Sequence, residues 1–227
     1  MSARVFFIHT ISGLTGLFND LCAELLPGAE LCHISDEGII HCVLAEGGLT
    51  PAVYRRTCEH VVAAEADGAQ VIQLTCSSIS PCVDVAKHLV GVPVLKIDEP
   101  MMRAAVKRHR SVGIVATNPG TLKPSTQLVE AIAREMGKQV EVKPVLCEGA
   151  YPALLSGNRD EHDRVVRECL LDLMQSVEVI CLAQVSMARI ADQLTPEQKK
   201  VAVLSSPRAA VERLAAVVGG LSAAQGL

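Results

Sequence analysis

Val71-Ile72-Gln73-Leu74-Thr75-Cys76-Ser77-Ser78 and Val179-Ile180-Cys181-Leu182-Ala183-Gln184-Val185-Ser186 are the two stretches on which the reading of this chain turns. Each is a largely apolar, β-branched run that gives way at once to small or polar residues, the pattern of a buried strand opening into a strand-to-helix loop. Cys76 and Gln184 lie 108 residues apart. Working outward, Val5-Phe6-Phe7-Ile8-His9-Thr10 resembles Val112-Gly113-Ile114-Val115-Ala116-Thr117, with 107 residues between the two threonines. Val94-Leu95 before Pro100 resembles Val203-Leu204 before Pro207, at offsets of 109 and 107. Three pairs in one order, at nearly one spacing, predict an internal duplication: two similar lobes related by a pseudo-twofold axis.

Between these runs lie amphipathic stretches that read as helices over residues 16–26, 51–66, 81–89, 100–110, 124–136, 161–176 and 207–218. In the second of them Val53, Cys58, Val61 and Val62 are expected to face inward, and Asp67-Gly68 ends it. Further strands are expected over residues 92–97, 139–144 and 200–204. Strands without polar alternation, separated by helices, predict parallel sheets covered on both faces, so the class is α/β. The first lobe is placed at residues 1–98 and the second at 99–206. Residues 207–227 are read as a C-terminal helix packing back on the first lobe, with 222–227 frayed.

The 227 residues are 49% hydrophobic and 20% charged, too apolar for disorder. Twenty-one basic residues against 25 acidic ones give a net charge of −4, and the only aromatic residues are Phe6, Phe7, Phe18, Tyr54 and Tyr151. Nucleic acid, which needs a basic surface or stacking aromatics, is therefore not an expected partner. The apolar run at the N-terminus is cut by His9, unlike an export signal, and no stretch has the roughly 18–20 apolar residues of a membrane span. The nine cysteines lack zinc-knuckle spacing, which suits reduced thiols in the cytoplasm and predicts no metal.

Ligands of parallel sheets bind beyond the carboxyl ends of the strands. If two lobes face one another, His9, Thr10, Thr75, Cys76, Ser77, Thr117, Asn118 and Gln184 are expected in one cleft. Cys76 reads either as a buried strand-end thiol or as a nucleophile or base whose pKa is lowered at a helix start. The amides and hydroxyls of Thr75, Ser77 and Ser78 would cradle an anion, and Thr117-Asn118-Pro119-Gly120-Thr121 repeats the arrangement, though each also fits a plain capped loop. Asp36-Glu37 reads as ligand-facing acids or as solvated loop charges. His9 fits substrate orientation, a proton relay or a satisfied strand-end histidine. Lys96 fits a substrate carboxylate or an ion pair with Asp98 or Glu99. Cys82, six residues from Cys76, could pair with it as a regulatory disulfide.

With these residues in view, the chain resembles the aspartate/glutamate/hydantoin racemase superfamily over nearly its whole length. Thr75-Cys76-Ser77-Ser78 looks like the first cysteine motif of that group. Gly113-Ile114-Val115-Ala116-Thr117 with Gly120-Thr121 resembles its substrate-carboxylate loop. Leu182-Ala183-Gln184-Val185-Ser186-Met187 sits where the second cysteine motif should be, so Gln184 stands in place of a thiol. The resemblance implies two lobes around a cleft, no cofactor, a small carboxylic-acid substrate and a homo-oligomer. It implies Cys76 as acid/base, Gln184 as hydrogen-bond donor to an enediolate, and His9, Thr10, Asp36, Thr75, Ser77, Ser78, Lys96, Thr117, Asn118, Thr121 and Ser186 as substrate-binding. Because glutamine is no base, three chemistries stay open. One is racemisation with another group (His9, Asp36 or water) on the far face; the others are decarboxylation or related lysis, and cis–trans isomerisation of a dicarboxylic acid. A carboxylate-binding protein without catalysis is the non-enzymatic alternative.

Overall fold

The structure, a computed structural model, describes residues 2–224. In chain order the first half carries β1 (Arg4–His9), α1 (Thr15–Leu25), β2 (Glu30–Ser35), α2 (Glu37–Ala45), α3 (Pro51–Ala66), β3 (Val71–Leu74), α4 (Val83–Ala86) and β4 (Val94–Lys96). The second half carries α5 (Glu99–Arg108), β5 (Ser111–Ala116), α6 (Pro119–Glu135), β6 (Glu141–Leu146), α7 (Ala150–Leu155), α8 (Arg159–Leu173), β7 (Val179–Leu182), α9 (Ala188–Asp192), β8 (Ala202–Leu204) and α10 (Ser206–Ala224). The strands form two four-stranded parallel sheets, ordered β2-β1-β3-β4 and β6-β5-β7-β8. The registers correspond as well as the orders: Val5 pairs with Val71 in the first sheet, and Val112 with Val179 in the second. The chain divides into two compact units, one reaching to Ile97 and resuming at Pro207, the other Asp98–Ser206.

In the first unit the two faces of β1 are both buried. Phe6 and Ile8 join the core under α2 and α3 with Ile39, Val43, Val53, Val61, Ile72 and Leu74. Phe7 turns the other way and its ring lies 5.2 Å from that of Phe18 on α1. Strands buried on both faces must be apolar at every position, which is why these runs lack polar alternation. α10 belongs to this unit: Ala210, Val211, Leu214 and Val218 are buried, and Arg208 pairs with Glu24 on α1 at 2.7 Å.

α3 starts where Thr50 accepts a hydrogen bond from the Val53 amide ahead of Pro51, and it ends at Gly68, whose φ of 86° only glycine adopts freely. Val62 does not face inward as expected; it is 44% exposed, because the buried stripe runs through Val53, Thr57, Val61 and Ala64. In the second unit, Val115, Ile180 and Leu182 pack with Val166, Leu170 and Ile190 of α8 and α9, while α5 and α6 carry the buried Met101, Met102, Val129 and Ile132.

Several element boundaries differ from the sequence reading. β2, α2, α7 and α9 were not foreseen. α6 begins at Pro119 rather than 124, because Asn118 caps it and Pro119 suits the first turn, which leaves Pro124 inside the helix. The segment after Cys76 is a 3₁₀ turn, Ser77–Cys82, followed by the single α-turn α4, not a helix over 81–89. Cys76 and Cys82 are both free thiols here, Cys82 buried and Cys76 half-buried. α10 continues to Ala224, past the expected start of fraying at 222; residues 225–227 lie outside the described residues.

Candidate active site

β1 and β3 lie side by side, with Ile8 paired to Leu74. The residues just beyond that pair are His9 and Thr75, then Thr10 and Cys76, so the register alone collects four of the expected residues at one sheet edge. The Thr75 amide bonds the Ile8 carbonyl at 3.1 Å, and the Thr75 hydroxyl lies 2.9 Å from His9 Nδ1. Cys76 holds extended backbone (φ −128°, ψ 121°) at the head of the Ser77–Cys82 turn, half-buried against the apolar core beneath α3. Ser77, Ser78 and Thr75 are buried around it. Thr10 Oγ1 is buried with no hydrogen-bond partner among the described residues. A buried hydroxyl without a partner costs stability unless something arrives to bond it.

His9 is wholly buried, and its Nε2 lies 2.8 Å from His33 Nδ1, whose own Nε2 lies 3.0 Å from Asn19 Oδ1. Burial, then the neighbouring His33, push His9 down to about 4, and burial lowers His33 as well. Both rings are thus neutral at neutral pH, and the chain Thr75–His9–His33–Asn19 runs between neutral donors and acceptors. His33 and Asn19 were not among the sequence candidates. The β1–β2 register brings it there: pairing Phe7 with His33 puts that side chain on the same face as His9.

Two other first-unit candidates are held by protein partners. The Asp36 carboxylate accepts from Arg56 Nε and Nη2 at 2.6 and 2.7 Å, from His60 Nε2 at 2.7 Å, and from the Gly38 amide as the cap of α2. Burial raises its pKa, but the hydrogen bonds and charges of His60 and Arg56 outweigh that and hold it below the usual range. Lys96 pairs with Asp84 at 2.7 Å, not with Asp98 or Glu99 as the sequence suggested; Asp84 is brought near by the turn into α4. Glu37 accepts from both the amide and the hydroxyl of Ser12, pinning the loop after β1.

In the second unit the equivalent strand ends are β5 and β7. The Thr117 amide and hydroxyl both donate to Gln184 Oε1, at 2.6 and 2.9 Å. Gln184 heads the short 3₁₀ turn Val185–Met187 as Cys76 heads its own, with similar extended backbone (φ −136°, ψ 138°). Its Nε2 has no partner among the described residues, so a donor pair is free at this strand end. Asn118 Oδ1 accepts from the amide and hydroxyl of Thr121, closing the cap of α6. Ser186 is exposed more than these residues and stands outside the buried cluster. Cys181, three residues before Gln184, is buried within β7, and burial pushes its thiol up to about 12; it is no nucleophile at neutral pH. Among the described residues no group of three or more His, Cys, Asp or Glu is placed to hold a metal ion, and no helix is long and apolar enough to cross a membrane.

Fold and strand ends together define a duplicated parallel α/β protein, with a thiol at one repeat's third strand end and an amide at the other's. The Asp/Glu/Hydantoin racemase family matches residues 39–214, and the chain belongs to that family, which is one of isomerases. Among solved structures it is similar to glutamate racemase from Francisella tularensis in complex with D-glutamate (16% identity, 97% of this chain and 82% of that one, TM-score 0.75). It is also similar to Klebsiella pneumoniae allantoin racemase (21% identity, 100% and 89%, TM-score 0.67) and Picrophilus torridus aspartate racemase (11%, 96% and 95%, TM-score 0.71). Among curated protein sequences, none matches.

Proposed function

We propose that the chain is a cofactor-independent, cytoplasmic racemase or epimerase acting at the carbon next to the carboxylate of a small amino acid or related acid. The observation that carries this is Cys76, half-buried at the end of β3 among buried hydroxyl residues, one strand away from the unpartnered hydroxyl of Thr10. In this reading the Cys76 thiolate takes the α-proton, the electron pair left on carbon delocalises into the carboxylate, and donors stabilise the enediolate formed. Thr10, Ser77, Ser78 and Asn118 hold carboxylate oxygens, while Thr75, Thr117 and Thr121, whose amides and hydroxyls already bond Ile8, Gln184 and Asn118, fix the strand ends that carry them. The free Nε2 of Gln184 donates to the enediolate. His9 acts as a neutral group that orients Thr75. Asp36 and Lys96 act one step back, as anchors of the loops that carry the site, and Ser186 closes its rim.

Gln184 favours a second reading on one specific ground: an amide fixed by two donors from Thr117 neither gives nor takes a proton. Chemistry with one thiol then becomes natural, in which Cys76 protonates the enediolate left when carbon dioxide departs from a malonate-type acid. Deuterium wash-in separates the two. Wild type and Cys76→Ser are incubated in heavy water with aspartate, glutamate, hydantoins including allantoin, and malonate-type acids, followed by NMR and by chirality. Cys76-dependent exchange with loss of chirality supports the racemase. Consumption with one deuteron placed on a single face supports the lyase. If neither occurs while a carboxylate still protects Cys76 from alkylation, the protein is a binder.

A further inference from the structure

His162 is a titratable group for which the chemistry above has no use. It lies in the opening turn of α8, wholly buried, and its Nε2 has no hydrogen-bond partner among the described residues. Its other ring nitrogen is engaged: Nδ1 lies 2.8 Å from Asp163 Oδ1. Burial raises the Asp163 carboxyl, but the bonds from Arg189 and His162 outweigh that and hold it below the usual range. It is therefore a carboxylate, which only accepts, so the ring hydrogen sits on Nδ1 and Nε2 of the neutral imidazole is a buried lone pair with nothing to bond. In a purely structural histidine such an atom costs stability. An imidazole oriented by a carboxylate that a third group fixes in turn is the arrangement of an activated proton carrier.

The path of the chain puts His162 at the edge of the second sheet where Thr117 and Gln184 stand. Just past β6 the Cys147 amide bonds the Ala116 carbonyl at the end of β5, at 2.8 Å, and α7 and the first turn of α8 follow from there. α8 then runs back to the opposite edge, where the Glu178 amide bonds the Ser111 carbonyl at 3.2 Å. Arg189, on the α9 helix that follows the turn headed by Gln184, reaches Asp163 and ties the first turn of α8 to that segment. Full burial does not set His162 apart, since Thr10 and Asn118 are only 1% and 3% exposed. We infer that His162 is the second proton carrier of the site, meeting the face of the α-carbon away from Cys76 and supplying what Gln184 cannot. This rests on the racemase reading. With a substrate of one hand, the Cys76 thiolate takes the α-proton, the enediolate holds the electron pair, and the His162 imidazolium returns a proton from Nε2 to the other face. Thiol and neutral imidazole are left, and the other hand runs the same transfers in reverse; nothing is oxidised or reduced.

The test uses each enantiomer of aspartate, glutamate and allantoin separately, in heavy water, with α-deuteration followed by NMR and handedness by chiral chromatography. Wild type, Cys76→Ser and His162→Asn are compared, with far-UV circular dichroism as the control for folding. Asparagine keeps an N–H for Asp163 and puts nothing at the place of Nε2. Wild type is expected to exchange the α-proton of both hands. His162→Asn should lose racemisation by about 10²-fold or more, yet still exchange one hand with retention, through Cys76. Cys76→Ser should spare the opposite hand. A merely structural histidine would depress both hands alike, so a folded His162→Asn that treats the two enantiomers equally overturns the inference while the racemase reading stands. So does a wild type confined to one hand. A wild type that exchanges no α-proton at all overturns the racemase reading and the inference with it. If His162→Asn does not fold, Asp163→Asn decides on the same criterion: slowing of the hand that Cys76→Ser spares supports the inference, and equal slowing of both overturns it.

Discussion

Thr117 and Gln184 are locked together by two hydrogen bonds onto one oxygen, from the Thr117 amide at 2.6 Å and its hydroxyl at 2.9 Å. Two donors on one atom fix which end of the glutamine amide is oxygen, and they leave Nε2 as the outward group. A thiol at this place would be an acid/base; the amide is a donor of fixed direction.

Gln184→Cys therefore removes the donor and supplies a second thiol. The expected outcome is two-sided chemistry: a variant whose wash-in product is racemic from either enantiomer, where the wild type is slower or one-sided. Chiral chromatography of the recovered substrate after incubation in heavy water checks it.

Cys76→Ser is expected to lower turnover by about 10²–10⁴-fold, the usual contribution of a positioned acid/base. Because Cys76 is only half-buried and makes no cap bond, the thermal midpoint should stay close to that of wild type. Initial rates and a melting curve on the same preparation decide this. A variant with wild-type rates would remove Cys76 from the mechanism.

His9 gives the fold a pH dependence of known sign. Its pKa is about 4 in the folded chain against an ordinary 6.5, so the unfolded chain binds the proton first as pH falls. The stability associated with neutral His9 is complete above about pH 6.5 and is lost as pH drops toward 4, by on the order of 1–3 kcal/mol. Urea midpoints should fall across that window in wild type and fall less in His9→Asn. Asp36, held below its usual range by His60 and Arg56, contributes only further down the acid side.

Gly113 lies in β5 where an added Cβ would stand 2.6 Å from Leu173 Cδ2 and 3.4 Å from Ile180 Cγ1. Leu173 is buried in the α8 core and has little room to move. Gly113→Ala should cost about 1–3 kcal/mol by overpacking, read as a lower denaturation midpoint. Gly219, with open space around its Cβ position, should tolerate the same change.

The strands that decide the architecture were legible because they are buried on both faces. Val5–Ile8, Val71–Leu74, Val112–Val115 and Val179–Leu182 offer no polar alternation, and their common offset reveals the repeat. The edge strand β2 carries no such signal: its burial is partial along its length, and Glu30-Leu31-Cys32-His33-Ile34-Ser35 mixes both kinds of residue. With β2 unread, His33 had no reason to be placed beside His9, nor Arg56 and His60 beside Asp36. Lys96 was given the wrong partner for a related reason. Sequence neighbours Asp98 and Glu99 follow it into α5, whereas Asp84 reaches it from across the turn into α4. Thr117 and Gln184 were both named from sequence, but their bond depends on the β5–β7 register, which lies beyond what periodicity shows.

Because α10 is part of the unit that begins with β1, that unit is written in the chain as two separated pieces. Asp98–Ser206 has all its own residues translated while the earlier unit still waits for its closing helix. Val211 and Leu214, both buried, are translated only after the whole of that second unit, and the part of the first unit that covers them stays open for that time. During synthesis, the half translated second is the first to be complete.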